Sequence, residues 1–317
     1  MATSRIHYSP YFDEVIAAEQ LEKALKGKEK LRVLEILLSG NNTQRQMIRT
    51  PYKTRYGKDL EDEIKRVFSG DFEDLLVALI QTPTKLDVTE LNRAVKGIGT
   101  NEKNLIEILT TRNNNEIESA KNTYFMCYQK SLEDAISADT SGDFRRLLIV
   151  ILQAKRNENG LAEYGRVGMD AINLIKSCDK KSGVDKFEGF KFFATASGQH
   201  ITKVIEEVER QSGKEFGKLV DKELSGDFKN LVLALVETAR NTPKFLANSI
   251  HLATKGIGTR DKDLIRILVS RSENDLVLIE HEYQHLFGKS LQQLIKEECK
   301  AEYRDGLTMI VKGHNRG

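Results

Sequence analysis

Apolar residues recur three and four positions apart along most of this chain, and no convincing stretch alternates as a strand does. Leu276, Ile279, Tyr283 and Leu286 are one such stripe, which a helix of 3.6 residues per turn gathers on one face. Denser apolar runs lie at 75–79, 147–150 and 231–235, and Pro83 and Pro243 stand just past two of them, where helices commonly stop. Pro51 falls inside a helical stretch and predicts a kink there. The pattern predicts an all-α protein built from short amphipathic helices.

The pattern also repeats. Ser-Gly-Asp-Phe occurs at 69–72, 141–144 and 225–228, each time leading into one of the dense apolar runs. Lys-Gly-Ile-Gly-Thr occurs at 96–100 and again at 255–259, each time followed by Leu-Ile-x-Ile-Leu. Repetition on this scale predicts copies of one helical unit stacked on one another. The landmarks place a short N-terminal tail at 1–14 and units of four or five helices at 15–85, 86–158, 162–243 and 244–315.

Composition narrows the function. Forty-nine Lys and Arg against forty-seven Asp and Glu leave a net charge of +2 with no long run of one sign. That excludes the clustered basic face of a nucleic-acid binder and a constitutive polybasic membrane anchor. Cys127, Cys178 and Cys299 are scattered and odd in number, which suggests neither disulfides nor a thiolate zinc site and makes a reducing, cytoplasmic setting the default. No stretch approaches the roughly 18 apolar residues of a membrane span, and residues 1–12 lack a signal-peptide core. Any membrane contact is expected to be peripheral, with the positive charge supplied from outside the chain.

The Lys-Gly-Ile-Gly-Thr loops offer a way to supply it. Glycines adopt positive φ and let a tight turn aim successive carbonyls at one point. Calcium is a hard cation that takes six to eight oxygens, main-chain carbonyls among them. Neutral oxygens need a carboxylate to complete the site, and one recurs at a fixed offset: Asp139 lies 40 residues after Gly99, Glu298 lies 40 after Gly258, and Glu223 lies 40 after Gly183.

These loops, the Ser-Gly-Asp-Phe strings, Asn42-Thr43-Gln44-Arg45-Gln46, Tyr56-Gly57-Lys58-Asp59-Leu60 and 267–273 together resemble the annexin family, and the likeness covers nearly the whole chain. The resemblance implies four repeats of about five helices each, wound superhelically into a slightly curved disc with calcium loops on its convex face. It implies a non-enzymatic protein that binds acidic phospholipid membranes, with phosphatidylserine-like headgroups, reversibly and peripherally when calcium rises. It further implies calcium ligands from the carbonyls of Val95, Gly97 and Gly99 with the Asp139 carboxylate, and from Thr254, Gly256 and Gly258 with Glu298. Thr100 and Thr259 are expected to cap the helices that follow, with Glu102 and Asp261 in the first turn, or else to form a secondary calcium site. Arg112 and Arg271, with Asp87 and Glu90, are expected to form a structural polar cluster.

The chain also departs from the family. The first unit reads 24–30 as Ala-Leu-Lys-Gly-Lys-Glu-Lys with Val67 in the acid's place, so its site is expected to be lost. The third unit has Lys181, Ser182, Gly183 and Val184 but keeps Glu223, which predicts a weakened site. In the fourth unit Lys300-Ala301 replaces the Ser-Gly that follows the acid elsewhere, which puts the aim of Glu298 in question. Gly40 and Ala196 stand where the other two units carry Arg112 and Arg271.

Competing chemistry is weaker. His281-Glu282-Tyr283-Gln284-His285 matches the H-E-x-x-H zinc-peptidase signature, but the third histidine of the extended form is Leu291, and the apolar stripe turns His281 away from the core. Gly288-Lys289-Ser290 matches the end of a P-loop without its earlier glycine, and 179–183 lacks the ligands of an EF-hand. The principal alternative to membrane binding is a calcium-independent helical-repeat scaffold for protein or cytoskeletal partners, engaged through the tail or the concave face.

Overall fold

The structure, a computed structural model, describes residues 3–97, 99–179, 182–256 and 258–313. Among these residues the chain forms nineteen α-helices and a 3-10 turn, with no strand. The first five are α1 (Glu14–Gly27), α2 (Lys30–Leu38), α3 (Asn42–Tyr56), α4 (Leu60–Val67) and α5 (Gly70–Ile80). The next five repeat that order: α6 (Pro83–Val95), α7 (Glu102–Thr111), α8 (Asn114–Tyr128), α9 (Leu132–Asp139) and α10 (Gly142–Leu152). Then follow α11 (Tyr164–Cys178), α12 (Lys186–Phe190) with the 3-10 turn Lys191–Ala194, α13 (Gly198–Ser212), α14 (Phe216–Glu223) and α15 (Gly226–Thr254). The last are α16 (Asp261–Arg271), α17 (Leu276–Phe287), α18 (Leu291–Glu298) and α19 (Ala301–Lys312).

α15 is two helical segments joined at Asn241, whose φ of −162° and ψ of 92° are not helical. The Asn241 side chain accepts from Lys244 N at 2.9 Å, so Pro243 opens the second segment much as Pro83 opens α6. The sequence thus reads five helical segments four times over. α3, by contrast, runs on through Pro51.

The same punctuation recurs in each copy. The third helix ends on a left-handed residue, Gly57, Gln129, Gly213 or Gly288, with φ of 68°, 52°, 64° and 69°. Gly288-Lys289-Ser290 is one of these turns, and its Ser290 hydroxyl caps α18. Asn41 and Asn113 form capping boxes with Gln44 and Glu116.

Two compact units result, one of residues 1–86 with 246–317 and the other of 87–245. In the first, Leu21, Leu34, Leu37, Leu75, Leu79 and Leu307 are fully buried. Gly306 permits the close approach of α19 there, because a Cβ would meet Leu75 Cδ2 at 2.6 Å and Leu34 Cδ2 at 3.0 Å. The core of the second includes Leu105, Leu148, Leu174, Phe190, Phe193 and Val204.

The described part of the tail is stitched onto the first unit. Arg5 N and Ile6 N donate to Ser272 O, Val277 N donates to Thr3 O, and Ser9 exchanges two bonds with the Gln44 side chain. Ile6 is buried.

Candidate metal centre

Between α6 and α7 the chain turns through Lys96 to Asn101. Gly97 and Gly99 have φ of 127° and 84°, and a Cβ on either would stand in open space. These φ values lie where only glycine is comfortable, so the loop's shape is written in its residue types. Asn101 N closes it with a 2.8 Å bond to Ala94 O.

Asp139, the last residue of α9, arrives beside this loop. Its Oδ2 is 2.8 Å and its main-chain oxygen 2.7 Å from the Thr100 hydroxyl. Val95, Lys96 and Asp139 line one hollow of about 280 Å³. Main-chain oxygens of glycine turns beside a half-buried carboxylate are a hard donor set, which suits calcium rather than a thiophilic or imidazole-seeking metal.

The second loop reproduces the first. Gly256 and Gly258 have φ of 116° and 83°, again facing open space, and Arg260 N donates to Ala253 O at 2.8 Å. Glu298 ends α18 as Asp139 ends α9, and is exposed. The turn after it keeps the shape of the others: Ala301 takes φ of 50°, beside 69° at Gly70, 58° at Gly142 and 59° at Gly226. Nearby, burial and then the charges of Asp261 and Asp74 push the Asp71 carboxyl above its ordinary range. Negative charge is concentrated on this side of the fourth copy.

Neither threonine caps a helix, contrary to the expectation from the sequence. The N-cap of α7 is Asn101, whose side chain accepts from Asn104 N at 3.2 Å. The bond from Asn101 to Ala94 sets where the helix begins and leaves Thr100 outside it, turned toward Asp139. In the fourth copy Arg260 holds the cap position without a side-chain bond, and the Thr259 hydroxyl lies 2.7 Å from each carboxylate oxygen of Asp261. Glu102 and Asp261 do occupy the first turns of α7 and α16.

The third copy differs in chemistry. Gly183 keeps a positive φ of 67°, while Lys181 lies outside the described residues. The Glu223 side chain is only 7% exposed and has the Lys186 ammonium 3.3 Å from its Oε2, with a further bond from Lys186 Nζ to the Glu223 main-chain oxygen. Lys186 stands three residues after Gly183, where Glu102 and Asp261 stand three after Gly99 and Gly258. That change from acid to lysine at a fixed register is visible in the sequence and is the signal that could have pointed to this ion pair. In the first copy only Lys28 and Glu29 separate α1 from α2, too short a link to turn several carbonyls inward, and Val67 ends α4 where an acid ends α9 and α18.

The arginines engage separate partners. Arg112 makes a two-pronged pair with Asp87, Nε and Nη2 each 2.7 Å from a carboxylate oxygen, and both side chains are buried. Arg271 makes the same kind of pair with Asp275, a partner that its sequence neighbourhood did not single out. Glu90 pairs with Arg93 at 2.5 Å. On α17, Leu276, Ile279 and Tyr283 are buried while His281 and His285 are exposed. Among the described residues no three His, Cys, Asp or Glu side chains gather closely enough to hold a metal by themselves.

The model of the family described as Annexin matches residues 16–79, 86–151, 169–235 and 245–310. Annexin A5 of Gallus gallus is 40% identical over 308 residues, 96% of this chain and 96% of that protein. Among solved structures, that of annexin III superposes with a TM-score of 0.94 at 37% identity, covering 98% of both chains. The calcium-bound structure of annexin (Sm)1 superposes with a TM-score of 0.84 at 28% identity, covering 97% of this chain and 93% of that one.

Proposed function

This chain belongs to the annexin family of calcium-dependent phospholipid-binding proteins, and on that premise we propose that it docks reversibly on acidic membranes through its second and fourth loops. The observation that carries this reading is the agreement of two loops far apart in sequence. Gly97 and Gly256, and Gly99 and Gly258, agree in φ within about a dozen degrees, and both loops are closed by the same 2.8 Å main-chain bond.

In the second copy the carbonyls of Val95, Gly97 and Gly99 and the Asp139 carboxylate would hold the ion. In the fourth, Thr254, Gly256, Gly258 and Glu298 would do so. Calcium, when bound, supplies the positive charge that a nearly neutral chain lacks and leaves coordination positions for a headgroup phosphate oxygen. Each loop makes its own contact, and linked contacts on one chain raise avidity by roughly two orders of magnitude or more over either alone wherever both can engage. Lys186 neutralises Glu223 and keeps the third copy from taking part. Among the described residues no helix is long and apolar enough to cross a membrane. The docking proposed here is peripheral, from a cytoplasmic pool when calcium rises.

Sedimentation with phosphatidylserine vesicles tests this. Wild-type chain is expected in the pellet with calcium and in the supernatant with chelator, while a folded Asp139→Ala, Glu298→Ala double variant stays in the supernatant throughout. Calcium-independent behaviour of the wild type supports the scaffold alternative. Undiminished pelleting of the double variant removes those carboxylates from the mechanism.

A further inference from the structure

A cavity of about 450 Å³ in the unit 87–245 has no part in the loops described above. Its size is that of a small-molecule site, many times the roughly 30 Å³ share of one liquid water. Phe193, Ile201 and Leu235 give it apolar walls, and the Thr238 hydroxyl lies on its lining. Arg156 also lines it, from the connector that leaves α10.

The Arg156 guanidinium is incompletely satisfied. Nη1 donates to Thr110 O at a long 3.3 Å, and Nη2 is buried with no hydrogen-bond partner. Its main chain is pinned on both sides by the Asn114 side chain, at 3.0 Å and 2.8 Å, which anchors the base of the side chain beside the cavity. Burial pulls the guanidinium below its ordinary value, and the Glu158 charge offsets part of that. The Glu158 carboxylate is itself occupied by Asn114 N at 2.7 Å. A buried, unbonded donor of this kind is costly until something accepts from it.

The repeat register explains why space is left. Arg112 stands 13 residues after Gly99 and Arg271 stands 13 after Gly258, but 13 after Gly183 the residue is Ala196. Ala196 is on the cavity lining, with a methyl group where the other two copies carry a guanidinium. Arg112 is already engaged by Asp87 and the Thr111 hydroxyl, so Arg156 is the lining cation with a nitrogen left unbonded.

We propose that this cavity binds a small monocarboxylate with a short apolar body, its carboxylate on the Arg156 guanidinium, which turns to meet it, and its body against Phe193, Ile201 and Leu235. A carboxylate accepts from a guanidinium in the plane that the fork presents, and the charge-assisted bond satisfies the orphan donor. The apolar walls favour a short aliphatic or aromatic body over a bare inorganic anion.

Titration calorimetry of the full chain with sodium octanoate tests this, with calcium chelated so that the loops cannot recruit the carboxylate. Wild type is expected to bind saturably at one site, and Arg156→Gln and Ala196→Leu are each expected to weaken binding about tenfold or more. Ala196→Leu fills the space and leaves Arg156 in place, so it decides the matter if Arg156→Gln does not fold. No saturable binding by the wild type, or wild-type affinity in either folded variant, overturns the assignment. Inorganic phosphate binding as tightly as octanoate overturns the apolar half of it.

Discussion

The Lys186 ammonium stands 3.3 Å from Oε2 of Glu223, in the register where the second and fourth copies carry Glu102 and Asp261. Glu223 is nearly buried, and a buried carboxylate without a counter-charge is costly. A tethered ammonium therefore answers the charge that a divalent cation would answer in a working loop, and it does so permanently.

Reversing that charge is expected to trade the built-in cation for an external one. Lys186→Glu should lose about 1–3 kcal/mol in chelator, because one partner of a largely buried pair is removed while Lys186 itself is partly solvated. With calcium it should recover, and calorimetry should count about one more ion per chain than in wild type. An unchanged ion count would show that Lys186 is not what closes the third copy.

Ala301 makes a second case, since it holds a left-handed φ of 50° where three other copies use glycine. That conformation costs an alanine about 1–2 kcal/mol, and the extra freedom glycine brings to the unfolded chain offsets about 0.5–1 of it. The balance favours Ala301→Gly by roughly 0.5–1 kcal/mol, read as a higher denaturant midpoint at unchanged slope. Gly142→Ala should shift the midpoint the other way by a similar amount. If Ala301→Gly destabilises the chain, the strain assigned to this turn is absent.

Much of this arrangement is legible in the sequence because its causes are local. Positive φ at Gly97, Gly99, Gly256 and Gly258 follows from residue type, and the repeat register carries Asp139, Glu223 and Glu298 to equivalent helix ends. What is not legible depends on partners distant in sequence or on the phase of a loop. Thr100 and Asn101 are both acceptable caps by preference, and only the bond from Asn101 N to Ala94 O decides between them. Nothing local in the tail at 3–9 names its partners, yet Ser272, Val277 and Gln44 bind it from far along the chain. Pro51 predicts a kink by the loss of its N–H, but the carbonyl it deprives belongs to the exposed Met47, where water can substitute, and α3 continues.

Acid stability should report on Glu63. Hydrogen bonds from Arg66, opposed by burial and reinforced by Lys58, hold its carboxyl down to about 2 against an ordinary 4.5. A folded-state value below the unfolded one means the pair stabilises the chain above about pH 4.5, and that this contribution is lost as pH falls toward 2. Arg66 is well exposed, so solvent screening keeps the contribution small. Glu63→Gln should therefore be less stable than wild type at neutral pH, and the two denaturation midpoints should converge on acidification. A gap that stays constant with pH would mean that the charge on Glu63 contributes nothing.

The Arg112–Asp87 pair separates the value of an ion pair from the cost of breaking one. Burial alone would pull the Arg112 guanidinium down, but Asp87 outweighs it and raises the arginine above its ordinary value. Asp87→Asn leaves a buried guanidinium without a counter-charge, for an expected loss of about 3–5 kcal/mol. Replacing both partners with apolar residues of similar size, Asp87→Leu with Arg112→Met, removes the desolvation cost along with the attraction and should sit much closer to wild type. Urea denaturation of the two single variants and the double gives the coupling energy directly. If the double variant loses the sum of the two single losses, the two groups do not act as a pair, and the 2.7 Å bonds between them carry no mutual stabilisation.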